Sequence, residues 1–203
     1  MAMHLHQGDL PEGLSFPDGV AVDTETAGLK TRRDRLCLVQ LSAGDGDCHM
    51  VQLKPGNYEA PRLRTLMQDT SVVKLMHFAR FDVAAIRHWL SVLCTPVYCT
   101  KIASRLTRTY TDRHGLRDLC RELLGVDLAK EQQSSDWGAA QLSQAQLDYA
   151  AADVLYLHRL RVELDARLVR EGRSHLAATC FAFVPIRAEL DLAGWADQDI
   201  FAH

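Results

Sequence analysis

The segment that most restricts this chain is Val20-Ala21-Val22-Asp23-Thr24-Glu25-Thr26, an apolar run that ends in two carboxylates one residue apart. The composition reads as a β-strand, and strand side chains alternate with period two, so Asp23 and Glu25 project from the same face. Like charges held side by side raise the pKa of one group or cost stability unless a cation neutralises them. A divalent metal is the economical neutraliser; a solvated strand end is the plain alternative. In α/β architectures functional groups gather at strand ends, so the rest of the fold must leave this face open.

The surrounding pattern supplies a sheet for this strand. RLCLVQLSA (35–43) and CHMVQL (48–53) read as two more strands with a GDGD turn between them, giving an antiparallel meander. PGNYEAPRLRTLMQD leads into a helix, SVVKLMHF (71–78) returns as a strand, and ARFDVAAIRHWLSVL has helical spacing. Beyond it TKIASRL, HGLRDLCRELLG with a glycine stop at Gly125, and a long segment from Ser143 to about residue 171 are predicted helices, Ser143 serving as N-cap. Weaker helical patterns at 173–182 and 185–193 end the chain, and no repeat or linker interrupts it. A sandwich of about five strands with helices on both faces follows, as a single domain over 1–203.

With 203 residues, 47% of them hydrophobic, one core is sufficient. Net charge is −3, which argues against nonspecific binding along long nucleic acid but leaves room for a short one in a local site. Residues 100–121 hold six Lys/Arg against two acids, and KTRRDR (30–35) is a second basic cluster. Six cysteines without CxxC spacing read as reduced core thiols. The histidines are dispersed, with His4 and His6 in an edge or frayed segment. The N-terminus lacks a basic start and an apolar run, and no segment reaches membrane-spanning length, so a cytoplasmic protein without membrane contact is expected.

Two further segments complete a carboxylate set. HFARFDVAAI places Asp82 near the start of a helix that follows a buried strand, and LDYAAADVLYL places Tyr149 and Asp153 four residues apart on one helix face. Taken in order, DTE (23–25), HFARFD (77–82) and YAAAD (149–153) resemble the three motifs of the DEDD 3′–5′ exonucleases, tyrosine subtype. QSSDW (133–137) followed by LSQAQLDYAAADVLYL is similar to the ribonuclease D branch, and the short length resembles bacterial nano-RNase C.

The resemblance implies a ribonuclease H-like fold: a mixed sheet of five to six strands flanked by helices, with a core over about 20–160 and a helical C-terminal part over about 161–203. It implies two-metal-ion hydrolysis with Mg²⁺ or Mn²⁺, since hard oxygen ligands favour hard cations. Asp23 would bridge both ions, Glu25 and Asp153 would join it on one, Asp82 would hold the other through its water shell, and Tyr149 would orient the attacking water. With an ordinary pKa of about 10, the tyrosine is expected to position water more than to deprotonate it. The substrate implied is very short RNA, down to dinucleotides, with longer RNA or single-stranded DNA as the alternative. The copies would form a homo-oligomer, a ring such as an octamer.

Substrate contacts follow in the same terms. Thr24 and Thr26 would bond a 3′ hydroxyl, Gly28 would let the backbone approach the substrate, Leu29 would wedge between bases, His77 would contact substrate, and Phe81 would pack against a base or serve as a core aromatic. For phosphate, Lys101, Arg105, Arg108, Arg113 and His114 are the candidates; helical spacing puts Lys101, Arg105 and Arg108 on one face.

Overall fold

A computed structural model describes residues 2–129 and 135–203. Gln133 and Ser134 of the QSSDW segment fall outside that range. Six strands form one sheet: β1 (Met3–Gln7), β2 (Val20–Thr26), β3 (Leu36–Ser42), β4 (Cys48–Gln52), β5 (Lys74–Met76) and β6 (Val97–Cys99), in spatial order β1-β4-β3-β2-β5-β6. The expected meander is present, as β2, β3 and β4 pair antiparallel. β5 and β6 add parallel on one side and β1 adds parallel to β4 on the other. Every residue of β3 is buried, and full burial of each of its leucines contributes about 1.5–3 kcal/mol. This makes β2 and β3 the rigid middle of the molecule, and β2 carries Asp23 and Glu25 out of it.

The helices are α1 (Pro61–Gln68), α2 (Ala79–Leu90), α3 (Thr100–Thr107), α4 (Leu116–Leu119, running on through a wider turn to Leu124), α5 (Gln144–Leu155), α6 (Leu157–Arg170) and α7 (Ser174–Leu190). Gly125 ends α4 with φ at +68°, the left-handed stop its sequence requires. At α5, Ser143 Oγ accepts from the Gln146 amide (3.3 Å) while Gln146 Oε1 accepts from the Ser143 amide (2.9 Å), closing a capping box.

Three expectations change. The long helix divides at Tyr156, whose backbone (φ −104°, ψ −5°) leaves helical geometry, so α5 and α6 are separate. The two terminal helices are one, with Pro185 inside α7 and a wide turn, Asp191–Trp195, after it. A mid-helix proline costs about 3 kcal/mol in isolation; α7 is held by burial of Phe181, Val184, Pro185 and Ala188 against the core. The strand expected over 71–78 is reduced to β5, while β6 is additional. The free cysteines are buried except Cys180, which is half-buried.

Candidate active site

Four acids meet at the open end of β2. Asp23 and Glu25 leave the same face of the strand, and Asp153 reaches them from α5; ligand oxygens of these three lie within 4.8 Å of one another. Asp82, 3% exposed, arrives from the first turn of α2. Its Oδ1 accepts from the Thr24 amide (3.1 Å) and from Thr24 Oγ1 (2.7 Å), which locks α2 to the strand that bears the other acids.

Burial raises all four carboxyl pKa values, and repulsion from neighbouring acids adds to it at Asp23, Glu25 and Asp153. Asp23 is pushed well above the carboxylate range by burial and then by Asp82, Asp153 and Glu25. Glu25 rises to about 9 through burial, then Asp153 and Asp82. Asp82 rises to about 7 by burial despite the Thr24 hydrogen bonds that oppose the shift. Asp153 rises to about 7 through burial, against a hydrogen bond from Tyr149. A converging set of hard oxygen donors with surplus negative charge fits a hard divalent cation, Mg²⁺ or Mn²⁺ rather than a thiophilic metal. Tyr149 is driven above its ordinary pKa by burial, then by Asp153, Glu25 and Asp23, so its hydroxyl keeps its proton at neutral pH. Its ring stands 6.1 Å from that of buried Trp137.

A cleft of about 870 Å³ opens above the acids. Leu29 stands on its rim with 87% exposure, neither core nor turn filler. The loop beneath is tied down by Asp34, whose carboxylate accepts from the Lys30 amide (2.9 Å) and from Arg33 Nε (2.6 Å). Gly28 lines the cleft, and the loop requires glycine there as well, since a Cβ at this position would stand 2.4 Å from Asp34 Oδ2. Thr24 and Thr26 line the cleft too, the Thr24 hydroxyl donating to Asp82 and Thr26 Oγ1 to the Gly28 carbonyl (2.5 Å). His77 and Phe81 line the cleft as expected positions. His77 Nδ1 is 2.9 Å from Thr100 Oγ1, and burial with the nearby Lys101 charge pushes its pKa down to about 3, so it is neutral.

The basic run is split by the structure. Lys101 lines the cleft, whereas Arg105 and Arg113 are exposed away from its walls. Buried His114 is engaged with Ser104 Oγ (2.9 Å) and lies off the cleft as well. Arg108 is 0% exposed: it donates to Ser104 Oγ (2.9 Å), to the Arg113 carbonyl (2.7 Å) and to both Glu122 oxygens. It does not share a face with Lys101 because α3 ends at Thr107 and Arg108 turns inward. The cleft cations are instead Lys101, Arg117 and Arg121 among the described residues, the last two being one helical turn apart. Phe78 was also missed. It caps α2 in the left-handed region (φ +64°), half-exposed, with Lys101 Nζ 4.2 Å from its ring centroid.

Acids clustered at the end of a central strand of a mixed sheet, with a tyrosine beside them and Lys101, Arg117 and Arg121 lining the same cleft, give a ribonuclease H-like fold a site suited to divalent metal and phosphate chemistry. Residues 10–169 match the model of the 3′–5′ exonuclease family. The chain is 37% identical over 163 residues to ribonuclease D of Gluconacetobacter diazotrophicus, covering 80% of this chain and 41% of that protein; it spans about two-fifths of the length of such relatives. Brucella melitensis NrnC superposes with a TM-score of 0.97 at 56% identity over the full length of both chains, and that protein has been solved bound to pGG and with bound Mg²⁺. Ribonuclease D of Escherichia coli superposes with a TM-score of 0.73 at 26% identity, over 86% of this chain and 45% of that one. The chain belongs to the 3′–5′ exonuclease family, in its ribonuclease D-like branch.

Proposed function

We propose that this chain removes nucleotides from the 3′ end of very short RNA, dinucleotides included, releasing nucleoside 5′-monophosphates. The observation that carries the reading is the convergence of Asp23, Glu25 and Asp153 oxygens within 4.8 Å, with Asp82 locked beside them, in a cleft that Lys101, Arg117 and Arg121 also line. Asp23, Glu25 and Asp153 would hold one divalent ion, and Asp23 with Asp82 a second. When bound, the ions supply Lewis acidity to the scissile phosphate and acidity to water. The Tyr149 hydroxyl, protonated and beside Asp153, orients the attacking water. The water oxygen bonds to phosphorus as the bond to the 3′ oxygen of the preceding nucleotide breaks, and that oxygen takes up a proton.

Leu29 and Phe78 offer apolar surface to bases, and Lys101, Arg117 and Arg121 offer charge to phosphates beyond the scissile one. The pGG bound to Brucella NrnC supports a short substrate. The ribonuclease D relatives support a second reading, trimming of longer RNA. We also infer assembly of copies into a ring, supported by exposed Leu176, Ile186 and Phe201 near the C-terminus and testable by sedimentation velocity. No helix among the described residues is long and apolar enough to cross a membrane.

Hydrolysis of 5′-labelled RNAs of graded length from a dinucleotide upward, with Mg²⁺, Mn²⁺ or EDTA, and of one equally short DNA, tests the substrate. A rate that peaks at the shortest RNA is expected. Equal rates at every length and on DNA would replace the proposal with a general exonuclease.

A further inference from the structure

The β1 edge of the sheet, separated from β2 by β4 and β3, carries three imidazoles on one face. His4 and His6 are two residues apart on β1 and so project together, and the parallel register sets His4 directly beside His49 of β4. The ring centroids of His4 and His6 stand 4.7 and 5.3 Å from that of His49. His6 Nε2 and His49 Nδ1 approach to 3.0 Å, so one nitrogen donates and the other accepts through a bare lone pair. Burial, then the neighbouring imidazoles, hold His6 and His49 below the ordinary histidine pKa. Both are therefore in the neutral form that ligates metals at neutral pH. Asp45 and Asp47, in the turn before β4, add negative potential at His49.

We propose that His4, His6 and His49 form a site for a transition-metal ion of the Zn²⁺ class, separate from the carboxylate centre. Imidazole nitrogens suit Zn²⁺ and its neighbours, whereas the carboxylates suit Mg²⁺ and Mn²⁺, so ligand chemistry sorts the two ions. The rings are now stacked within 11–17° of parallel, and their nitrogens do not all lie within 4.8 Å of one another as the carboxylate oxygens do. Ligation turns them so that one nitrogen of each converges at about 2.0–2.1 Å from the ion. His4 is exposed and has room to turn. The ion would clip the short edge strand β1 to β4.

The test uses untagged full-length chain carrying Asp23→Ala, with excess Mg²⁺, so that the carboxylate centre does not contribute. Titration with Zn²⁺ against a chromophoric chelator should show one tight equivalent per chain, weakened about tenfold or more by His6→Gln or His49→Ala. Cu²⁺ used as a probe should show nitrogen hyperfine coupling that His49→Ala reduces, and Zn²⁺ should raise Tm only where the three histidines are intact. Superimposable Zn²⁺ titrations of parent and variants would overturn the proposal, leaving a packed edge. The nuclease reading stands apart, since His6→Gln in the otherwise native chain should keep its Mg²⁺-dependent hydrolysis.

Discussion

Arg108 with Glu122 and the four acids around Asp23 are both built from ionisable side chains within one molecule, yet they are completed in opposite ways. Arg108 has each guanidinium nitrogen engaged by Ser104, Glu122 or the Arg113 carbonyl, and its hydrogen bond lowers the Glu122 pKa from 4.5 to about 2. The carboxylates at the end of β2 have neighbours of their own sign and pKa values driven upward. Charge that a chain neutralises internally holds the chain together; charge left one-sided is complete only with something from outside. The two clusters should therefore respond to mutation and pH with opposite signs.

The largest break in the comparison is Asp23→Ala. Its hydrolysis rate should fall by roughly 10³-fold or more, about 4 kcal/mol of transition-state stabilisation. The metal-free Tm at pH 8 should hold or rise, because a buried acid crowded by three others is gone. Single-turnover rates and calorimetric scans of the same preparation read both; activity within tenfold of the parent would remove Asp23 from the chemistry. Arg108→Ala should instead cost about 3 kcal/mol of stability through lost charged hydrogen bonds and an unfilled space, with KM on the remaining folded enzyme little changed. A several-fold rise in KM at unchanged denaturation midpoint would return Arg108 to the substrate side. Tyr149→Phe should lower kcat by roughly 10²-fold without loss of stability, since only an oriented hydroxyl is removed.

The pH dependence sharpens the contrast further. The four site carboxyls have folded pKa values raised above their unfolded ones, so their contribution is fully present below about pH 4 and is lost as pH rises through 7 to 9. Metal-free protein should thus lose Tm from pH 5 to 9, and Mg²⁺ should restore more of it at pH 8 than at pH 6. Glu122 has a lowered folded pKa, so its contribution is present above 4.5 and lost as pH falls towards 2. Glu122→Gln should flatten that acid limb, the smallest of these effects because the group is partly solvated. An unchanged acid limb would mean that Arg108 gains nothing from the charge of Glu122.

The site was readable where chemistry and local periodicity coincide. Asp23 and Glu25 share a face by strand alternation, Tyr149 and Asp153 by helix spacing, and the capping box marks the start of α5 in the sequence itself. Arg108 shows where the reading stops. The i, i+4, i+7 spacing of Lys101, Arg105 and Arg108 holds only while a helix lasts, and α3 ends one residue before Arg108. β6 was missed because a three-residue strand has too few positions for a period to show. The second constraint on Gly28, the Asp34 carboxylate, does not show in the sequence because it comes from the folding back of a loop. Phe78 carries no periodic signal, and its exposure follows from a left-handed backbone that sequence does not announce.

The raised carboxyls also make loading of the site an exchange. At neutral pH a chain without divalent ions retains protons on these groups, and uptake of Mg²⁺ must expel them into the solvent. The apparent heat of loading then includes the heat of the buffer that receives those protons. Calorimetric titrations in two buffers of different ionisation enthalpy should disagree, and their difference counts the protons that each cation displaces.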